Sequence, residues 1–406
     1  MQAFYPETEA EAADVVRAAL SENQAIQVSG SGSKQGWGRP VAADVDLHLS
    51  ALQGIESYEP EELVLTAKAG TAMAEIERAL AQKNQTLAFE PPDLGPLYGG
   101  GAGSGTLGGI IACNLSGPAR IRSGAARDHV LGLDAIGGRG EMFHSGGRVV
   151  KNVTGFDLSK VMAGSFGTLG VMTSITVRAL PAPEKLRTVL VFGLDWAQAV
   201  EAMGAALRSP HDINGAAHMP AGAAALSGAD YVSVANRPVT ALRIEGPGPS
   251  AAARCAALRE LLAPFGETEE LHGHNSGLLW REVRDVAALL PKAKTCIWRL
   301  SVPPASGALV TEALIAATGA EAFMDWGGGL IWLSVAPGLD AHAGPVRAAI
   351  AECGGHATLM RAPEAMRAAV PVFQPEDAIT EQLAARLKGV FDPTGVFNPG
   401  RMKPGA

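Results

Sequence analysis

The chain has 406 residues, of which 47% are hydrophobic and 18% are charged. It is therefore long enough for two or three folded domains and too apolar for an intrinsically disordered protein. Its 41 acidic and 33 basic residues give a formal net charge of −8, which disfavours binding to nucleic acid or to anionic lipid. The 49 glycines follow no collagen-like period, so they indicate tight loops or close approach of the backbone to a ligand.

The first part of the chain combines short strands with glycine-rich turns. Residues 9–20 show an acidic first turn and helical apolar spacing, and Thr71 is placed to cap a second helix that ends at residue 82. Residues 90–109 contain too many Pro and Gly for a regular element and predict a long loop of functional importance. Strands are predicted at residues 25–28, 45–49, 63–67, 130–136, 148–153 and 171–177.

The composition changes at the Pro-Ala-Pro of residues 181–183, where we place a domain boundary. Beyond it, alanine-rich helices alternate with apolar strands, which predicts a mainly antiparallel sheet covered by helices on one side. The predicted strands are 188–193, 240–245, 295–302, 321–325, 330–335 and 357–361. The predicted helices are 196–207, 250–264, 306–318, 342–353 and 376–390, and a turn-rich ending follows at 391–402.

Three glycine-rich loops, at residues 30–36, 103–108 and 164–170, each lie beside a predicted strand. Their backbone N–H groups can approach phosphate oxygens because no Cβ blocks them. The first loop is equally compatible with a strand-to-helix turn that uses glycine for positive φ. The second matches G-x-G-x-x-G but lacks the preceding strand and the later acidic residue of a nicotinamide-binding Rossmann domain. The absence of Gly-Lys followed by Ser or Thr excludes a P-loop.

Several short motifs follow one another along the chain. They are Ser-Gly-Ser-Gly-Ser-Lys at 29–34, Pro-Pro-Asp at 91–93, Gly-Thr-Leu-Gly-Gly at 105–109, Arg-Asp-His-Val-Leu-Gly at 127–132, Lys-Asn-Val-Thr-Gly-Phe-Asp-Leu at 151–158 and Gly-Ser-Phe-Gly-Thr-Leu-Gly-Val at 164–171. This order resembles the FAD-binding domain of the vanillyl-alcohol oxidase, or PCMH, type. Within that type the chain is similar to FAD-binding subunits of bacterial glycolate oxidases, with signature stretches at 150–160, 298–303 and 325–328.

The resemblance implies an α+β fold with a two-lobed PCMH-type FAD-binding domain at residues 1–184 and an antiparallel-sheet α+β cap domain at 185–375. A C-terminal segment, residues 376–406, is expected to return to the FAD domain. FAD is expected to bind non-covalently, because Lys34 or a neighbour stands where covalently flavinylated members often carry a His. The FAD-binding residues implied are Gly30, Ser31, Gly32, Ser33, Lys34, Pro91, Gly105, Thr106, Gly108, Gly109, Asn114, Gly167, Gly170, Val171 and Asn398.

No metal site is expected, although related D-2-hydroxy-acid dehydrogenases bind a divalent metal through a His-rich cluster. The close pair His272 and His274 has the spacing of one strand face, but the preceding acidic residues 267–270 indicate a solvated loop. Arg299 and Arg361 are candidates for the substrate side because Arg binds carboxylates in bidentate fashion. A salt-bridged sheet arginine is an equally good interpretation of both, and no catalytic residue is assigned.

The function implied is that of a FAD-binding subunit of a glycolate, or short 2-hydroxy acid, oxidising complex. The alternatives are a self-sufficient FAD oxidoreductase for another hydroxy acid or alcohol, and a non-catalytic subunit that only holds FAD. A second flavin subunit and an iron–sulfur subunit are the expected partners, since the four dispersed cysteines match no cluster spacing and predict free thiols. We expect the partner surface on the cap, near its tryptophans and the turn at residues 327–329. The acidic N-terminus predicts a cytoplasmic protein, peripheral on the inner membrane only through partners.

Overall fold

A computed structural model describes residues 1–147, 156–292 and 294–404 of the chain. It contains both strands and helices in each half of the sequence. The strands are β1 (Gln2–Phe4), β2 (Ile26–Ser29), β3 (Val45–His48), β4 (Ile55–Glu59), β5 (Val64–Lys68), β6 (Gln85–Thr86), β7 (Val130–Ile136), β8 (Met142–Gly146), β9 (Val171–Arg178), β10 (Leu180–Pro181), β11 (Lys185–Phe192), β12 (Gly215–Met219), β13 (Val239–Gly246), β14 (Thr268–His272), β15 (Cys296–Ser301), β16 (Glu321–Asp325), β17 (Leu330–Val335) and β18 (His356–Arg361).

The helices are mostly short in the first half of the chain and longer in the second. They are α1 (Glu9–Ser21), α2 (Met73–Ala81), α3 (Leu107–Ala112), α4 (Arg120–Ser123), α5 (Leu158–Met162), α6 (Trp196–Arg208), α7 (Ala221–Ala224), α8 (Asp230–Ser233), α9 (Gly248–Leu262), α10 (Gly273–Arg284), α11 (Gly307–Thr318), α12 (Ala343–Ala351), α13 (Glu364–Ala369) and α14 (Ala378–Phe391). Single 3₁₀ turns occur at Leu49–Ala51, Pro96–Tyr98, Ala126–His129, Ala287–Leu289, Pro304–Ser306 and Trp326–Gly328.

The first of two compact units consists of Met1–Ser116, Ala125–Ala182 and Pro371–Ala406. It contains a parallel three-stranded sheet, β1-β3-β2, and a five-stranded antiparallel sheet, β4-β5-β9-β7-β8. Its C-terminal segment pairs with the end of the small parallel sheet, because Phe397 forms a parallel bridge with Ile26 and the Asn398 amide donates to Ile26 O at 2.8 Å. Residues distant in sequence are thereby joined at the end of β2.

The helix predicted at residues 9–20 is confirmed as α1, and its start has a clear local cause. Thr8 accepts a hydrogen bond from the Glu11 amide at 3.2 Å while the Glu11 carboxylate accepts from the Thr8 amide, forming a capping box. The helix buries Val16 and three alanines. Thr71, in contrast, does not cap α2, and that prediction is wrong. Its hydroxyl bonds the Gly54 amide and carbonyl at 2.9 and 3.1 Å, and α2 begins later.

The second unit consists of Gly117–Gly124 and Pro183–Val370. Its strands form one eight-stranded antiparallel sheet in the order β14-β11-β13-β12-β16-β17-β15-β18, as the predicted mainly antiparallel sheet requires. Four tryptophans of this unit pack in its core, and the indole N–H of one of them, Trp298, donates to Ala341 O at 2.8 Å; the four are Trp280, Trp298, Trp326 and Trp332. These tryptophans and the turn at 327–329 are buried, so they do not themselves form an exposed surface, and the partner surface expected on the cap stays a prediction.

Residues 267–270 are not the solvated loop that their charge indicates. Residues 268–270 are part of the edge strand β14, where Glu270 forms an ion pair with Arg187 of the neighbouring β11 at 2.7 Å. His272 ends this strand and His274 lies in α10, so the two imidazoles do not share one strand face. In the described part of the chain, no group of three His, Cys, Asp or Glu residues is arranged to hold a metal ion.

Two further predictions can be compared with the structure only in part. The strand predicted at 148–153 and most of the motif at 151–158 lie outside the described residues. The loop predicted at 90–109 is interrupted by the 3₁₀ turn Pro96–Tyr98, and α3 begins at its end.

The four cysteines are free thiols. None of the helices in residues 1–147, 156–292 and 294–404 has the length and apolar character needed to cross a bilayer.

Candidate functional site

The glycine-rich loops of the first unit meet around one groove with an empty volume of about 710 Å³. Its walls come from the end of β2, the start of α3 and β9, the turn before β9 and the C-terminal segment. The residues that line it are Val28, Ser29, Gly30, Ser31, Gly32, Ser33, Lys34, Gln35, Leu49, Ala69, Thr106, Gly108, Gly109, Ala112, Cys113, Phe166, Gly167, Gly170, Met172, Asn398 and Arg401.

The first loop needs glycine for two different reasons. A Cβ at Gly30 would collide with the Thr106 hydroxyl, so this position must stay small for the first and second loops to touch. Gly32 has φ of +76°, a left-handed conformation that side-chain-bearing residues rarely adopt. The Ser31 hydroxyl donates to the Ser104 carbonyl and ties the two loops together. The sequence therefore folds this segment as an open strand-end loop rather than as the start of a helix.

The backbone amides at the start of this loop carry the next observation. Within the described residues, the N–H groups of residues 30–34 donate no hydrogen bond, while the next amide, that of Gln35, already donates to Gly32 O at 3.1 Å. Nearly all backbone N–H groups in folded proteins have a partner in protein or solvent. A run of unused donors along a groove is the arrangement with which backbone nests bind phosphate oxygens.

The second loop brings backbone close to backbone at the start of α3. The Gly108 amide donates to Ala69 O at 2.8 Å, and a Cβ on Gly108 would lie 2.9 Å from that same oxygen. Thr106 begins α3, with its hydroxyl accepting from the Gly109 amide at 3.3 Å. The Lys34 ammonium lies directly above Gly109, 3.2 Å from where a Cβ would stand. Gly108 therefore permits close packing against the Ala69 backbone, and Gly109 leaves space for the Lys34 ammonium.

Two cations line the groove and no Asp or Glu is among its lining residues. Burial lowers the pKa of Lys34, an effect that Cys113 and Asp93 oppose. Burial also raises the pKa of the Cys113 thiol, although Lys34 and Arg401 act in the opposite direction. Arg401 donates to Lys34 O at 3.3 Å, which fixes both residues at one end of the groove. In a chain of net charge −8, this local excess of positive charge favours an anionic ligand.

The opposite wall combines the turn before β9 with the C-terminal segment. Asn398 donates through Nδ2 to Phe166 O at 2.8 Å and accepts at Oδ1 from the Val28 amide at 2.9 Å. Gly167 has φ of +67°, and a Cβ there would lie 2.7 Å from Asn398 Nδ2. Asn398 thus holds β2 and the turn together, while Phe166 and Met172 supply apolar surface.

Most of the residues that the resemblance implies are brought together here. The predicted residues that line the groove are Gly30, Ser31, Gly32, Ser33, Lys34, Thr106, Gly108, Gly109, Gly167, Gly170 and Asn398. The predicted residues that are not among its lining residues are Pro91, Gly105, Asn114 and Val171.

These four have structural contacts of their own. Gly105 O accepts from the Met73 amide at 2.9 Å, and Asn114 Oδ1 accepts from the Arg127 amide at 3.0 Å. Val171 is fully buried at the start of β9, and Pro91 is buried in the loop that precedes the 3₁₀ turn. Their side chains and carbonyls shape the loops that surround the groove.

Sequence reasoning missed several lining residues. Cys113 directly precedes the predicted Asn114, Phe166 lies within the third glycine-rich loop, and Gln35 follows Lys34. Each could have been found from its position inside a recognised motif. Arg401 belongs to the Asn-Pro-Gly-Arg ending, but only the return of the chain to β2 shows that it lies beside Lys34. Met172 carries no sequence signal.

The groove fits a dinucleotide such as FAD on its own chemistry. The unused amides at residues 30–34 and the cations Lys34 and Arg401 suit a diphosphate, because charge-assisted hydrogen bonds to phosphate are strong. Apolar side chains along the remainder of the groove suit flat ring systems.

The predicted substrate-side residue Arg299 lies in the second unit, in a cluster of positive charge. Its guanidinium carbon is 5.0 Å from the centre of the Trp326 ring, and that of Arg120 is 4.8 Å from the same ring. Burial and the neighbouring Arg120 lower the pKa of Arg299 to about 10, opposed by Asp325. Burial lowers the pKa of His356 as well, and both arginines add to this effect.

Arg361, the other predicted substrate-side residue, is used for structure. Its guanidinium donates to Lys292 O, to Thr295 O at 3.3 Å and to Thr295 Oγ1 at 3.3 Å. These bonds fix the turn that precedes β15. The contacts therefore favour the structural interpretation for Arg361 and leave Arg299 as the better candidate for binding a carboxylate.

Comparison with known proteins identifies the family. Residues 2–146 match the family described as "FAD binding domain". The chain is 33% identical over 387 residues to glycolate oxidase subunit GlcE of Escherichia coli (strain K12), with 95% of each protein covered. The chain belongs to the GlcE family of FAD-binding oxidoreductase subunits. It is also 30% identical over 182 residues to glycolate oxidase subunit GlcD of Bacillus subtilis (strain 168), covering 45% of this GlcE-family chain and 36% of that relative.

A solved structure supports the architecture. The fold is similar to that of 4-ethylphenol oxidase from Gulosibacter chungangensis, with a TM-score of 0.71, 14% identity, and coverage of 99% of this chain and 89% of that one. The predicted α+β fold with a PCMH-type FAD-binding domain and the predicted relationship to glycolate oxidase subunits are confirmed. So is FAD as the cofactor of the GlcE-family chain.

Proposed function

We propose that this chain is the FAD-carrying GlcE-type subunit of a complex that oxidises glycolate or another short 2-hydroxy acid, with FAD held non-covalently in the groove. The observation that supports it best is the run of unused amides at residues 30–34 beside Lys34 and Arg401. Bound FAD supplies the redox chemistry, accepting electrons from the substrate and passing them on. The chain's own contribution is to hold the diphosphate, orient the rings and exclude water.

Non-covalent binding is supported by the side chains of the groove. Its described lining residues include no His or Tyr, and Cys113 is the sole thiol among them. The thiolate is the nucleophilic form of cysteine. Burial raises the pKa of Cys113, so the thiol form is favoured at neutral pH. A nucleophile suited to attack the isoalloxazine ring is therefore lacking among these residues, and Lys34 is positioned for charge pairing instead.

The substrate carboxylate would be bound by Arg299. The proposal rests on the two guanidiniums of Arg299 and Arg120 beside Trp326, where the pKa of Arg299 is held low by burial and by like charge. An added carboxylate would relieve that repulsion, and the planar guanidinium matches its geometry. The GlcE and GlcD relatives are both named as glycolate oxidase subunits, which agrees with a small monocarboxylate substrate and with a second flavin subunit as partner. We further expect an iron–sulfur subunit to take up the electrons.

The test is to purify the chain, record its visible spectrum, and precipitate it with acid. We expect a flavin spectrum, with FAD released into the supernatant. Dye-linked glycolate oxidation is then measured for the chain alone and for the chain co-purified with the second flavin subunit and the iron–sulfur subunit. Turnover only in the complex supports the proposal. Rapid turnover by the isolated chain indicates a self-sufficient oxidoreductase, and a complex whose activity is unchanged by FAD loss from this chain indicates a scaffold.

A further inference from the structure

Three polar side chains meet where β2 and β3 end, directly before the first glycine-rich loop. Ser29, the last residue of β2, is paired in register with His48, the last residue of β3. The Ser29 hydroxyl lies 2.9 Å from His48 Nδ1, and His48 Nε2 lies 2.9 Å from a carboxylate oxygen of Asp46. We call these three residues the His48 network. Because Ser29 also lines the groove, the network reaches the proposed FAD site.

The sequence of β3 explains why the network forms. Asp46 and His48 are two residues apart on one strand, so their side chains lie on the same face of the small parallel sheet. The side chain of Asp46 is buried, and a buried carboxylate is costly unless it is paired or hydrogen-bonded. Its described partners are His48 Nε2 and, at 3.5 Å, the Ser29 hydroxyl. The imidazole therefore compensates the burial of Asp46.

The ring of His48 is held in place by groups from several elements. Tyr5, which follows β1, stacks on it with the ring centroids 4.8 Å apart and the planes 5° apart. Helix α1 also packs on β3, and the side chains that it buries, three alanines and Val16, are uncharged. Among the described neighbours of the ring, Asp46 supplies the charge, Tyr5 the aromatic face and Ser29 the hydroxyl. Both ring nitrogens are engaged, so the ring has a fixed orientation.

The proton on His48 decides what the Ser29 hydroxyl can do. A carboxylate accepts hydrogen bonds, so the hydrogen of a neutral His48 ring belongs on Nε2, facing Asp46. Nδ1 then accepts from the Ser29 hydroxyl. In the imidazolium form Nδ1 donates to Ser29 Oγ instead, and the hydroxyl hydrogen turns to another acceptor. Within the network that acceptor is Asp46 Oδ1, at 3.5 Å, which is long for a hydrogen bond.

We propose that His48 is a positioning residue for the diphosphate of FAD, a role that rests on the proposed binding of FAD in the groove. Protonated His48 frees the Ser29 hydroxyl to donate to a phosphate oxygen, whereas neutral His48 holds that hydrogen away from the ligand. FAD binding thereby takes up a proton from solvent, which comes to lie on His48 Nδ1. The amides of residues 30–34 follow Ser29 directly and, with Lys34, make this part of the groove the suitable one for phosphate.

A purely structural role for the network leads to a different expectation. If the three side chains did no more than join the ends of β2 and β3, their removal would lower the free energy of unfolding and leave the pH dependence of FAD affinity unchanged. Histidine is the side chain that ordinarily changes charge between about pH 5 and 8. If protonated His48 assists binding, FAD must bind more tightly at the acid end of this range than at the alkaline end.

The experiment measures the FAD affinity of apoprotein at about pH 5.5 and about pH 8, by quenching of flavin fluorescence. The parent protein is compared with Ser29→Ala, which lacks the hydroxyl, and with His48→Gln, which keeps an amide donor for Asp46 but does not titrate. His144→Gln is the matched control. His144 also pairs with a carboxylate, that of Asp134 at 2.7 Å, but it is not among the residues that line the groove.

We expect the parent protein to bind FAD about 3- to 10-fold more tightly at the lower pH, as for one typical hydrogen bond. Ser29→Ala and His48→Gln should lose this difference, and His144→Gln should keep it. Calorimetry at about pH 6.5 in two buffers of different ionisation enthalpy should show uptake of a fraction of a proton per FAD by the parent protein and none by Ser29→Ala. Circular dichroism checks folding, and if His48→Gln does not fold, Ser29→Ala and the calorimetry decide.

The outcomes that overturn this inference differ from those that contradict the proposed function. Equal affinity of the parent protein at the two pH values overturns it, and so does a difference that persists in Ser29→Ala. A difference that persists in His48→Gln assigns the effect to Lys34, whose pKa is lowered by burial, and also overturns it. All three results leave FAD binding itself intact. Parent apoprotein that takes up no FAD at either pH contradicts the proposed function instead.

Discussion

Replacing Lys34 by Met removes one of the two cations from the FAD groove while keeping the length of the side chain. The Lys34 ammonium lies over Gly109, and its own hydrogen bond, to Ser33 Oγ, is long at 3.3 Å. A phosphate oxygen of FAD would give it a stronger partner. Two unit charges about 4 Å apart interact by about 4 kcal/mol at an effective dielectric constant of about 20.

The FAD-binding free energy lost in Lys34→Met should be smaller than that Coulomb energy. The Lys34 ammonium has already lost solvation in the groove, and this burial lowers its pKa. Hydrogen bonds to charged groups contribute about 1.5 to 3 kcal/mol once such costs are included. Arg401 and the amides of residues 30–34 remain in the variant. We therefore expect the FAD dissociation constant to rise about 10- to 150-fold, without complete loss of binding.

The assay is titration of apoprotein with FAD, followed by quenching of flavin fluorescence at two ionic strengths. Lys34→Arg keeps the charge and should stay within a few-fold of the parent, and Lys83→Met removes an exposed lysine as a matched control. The parent's affinity should fall as the pH rises through the lowered pKa of Lys34, because FAD binds the protonated form more tightly. Parent-like affinity in Lys34→Met would refute the placement of the diphosphate beside this residue.

Three further changes test separate parts of the structure. Gly32→Asp, which places a carboxylate at a left-handed position of the first loop, should abolish FAD retention, whereas Gly32→Ala should weaken it less; FAD content after gel filtration measures both. His218 is buried, and burial lowers its pKa to about 4. Its contribution to the free energy of unfolding is therefore complete above about pH 6.5 and is lost as the pH falls toward 4. Urea unfolding followed by tryptophan fluorescence measures the free energy of unfolding at each pH. Between about pH 6.5 and 4 this free energy should fall by about 3 kcal/mol less in His218→Gln than in the parent protein, and equal pH profiles for the two would contradict this. Arg299→Gln should reduce glycolate turnover of the complex at least tenfold with unchanged FAD content, while Arg299→Lys retains more activity.

The glycine loops could be predicted from the sequence because their requirements are local. Gly32 needs positive φ, and Gly108 needs close approach to a neighbouring backbone, which are properties of single positions within short motifs. Arg401 could not be assigned in the same way. Its position beside Lys34 depends on Asn398 bonding the Val28 amide, a contact between residues 370 positions apart.

The two strands of the second unit that were not predicted, β12 and β14, have equally specific causes. β12 has the sequence Gly-Ala-Ala-His-Met, without the β-branched residues that predict a strand, and a Cβ at Gly215 would lie 2.9 Å from the ring of Trp280. Small residues are needed there for packing rather than for a turn. β14 is acidic, but its charge is used at the sheet edge through the Arg187–Glu270 ion pair. In both strands tertiary contacts override the local signal.

The direction in which the C-terminal helix faces shows a limit of sequence periodicity. The spacing that predicts a helix at 376–390 is the same whether its apolar side faces inward or outward. The anchoring decides the direction: Asp392 pairs with Lys388 and also accepts hydrogen bonds from the Val396 and Phe397 amides at 3.0 and 2.9 Å. Those residues lead directly to Asn398 and Arg401 in the groove. One carboxylate therefore ties the end of α14 to the segment that leads into the groove, and the contacts of that segment place Asn398 beside β2 and Arg401 beside Lys34.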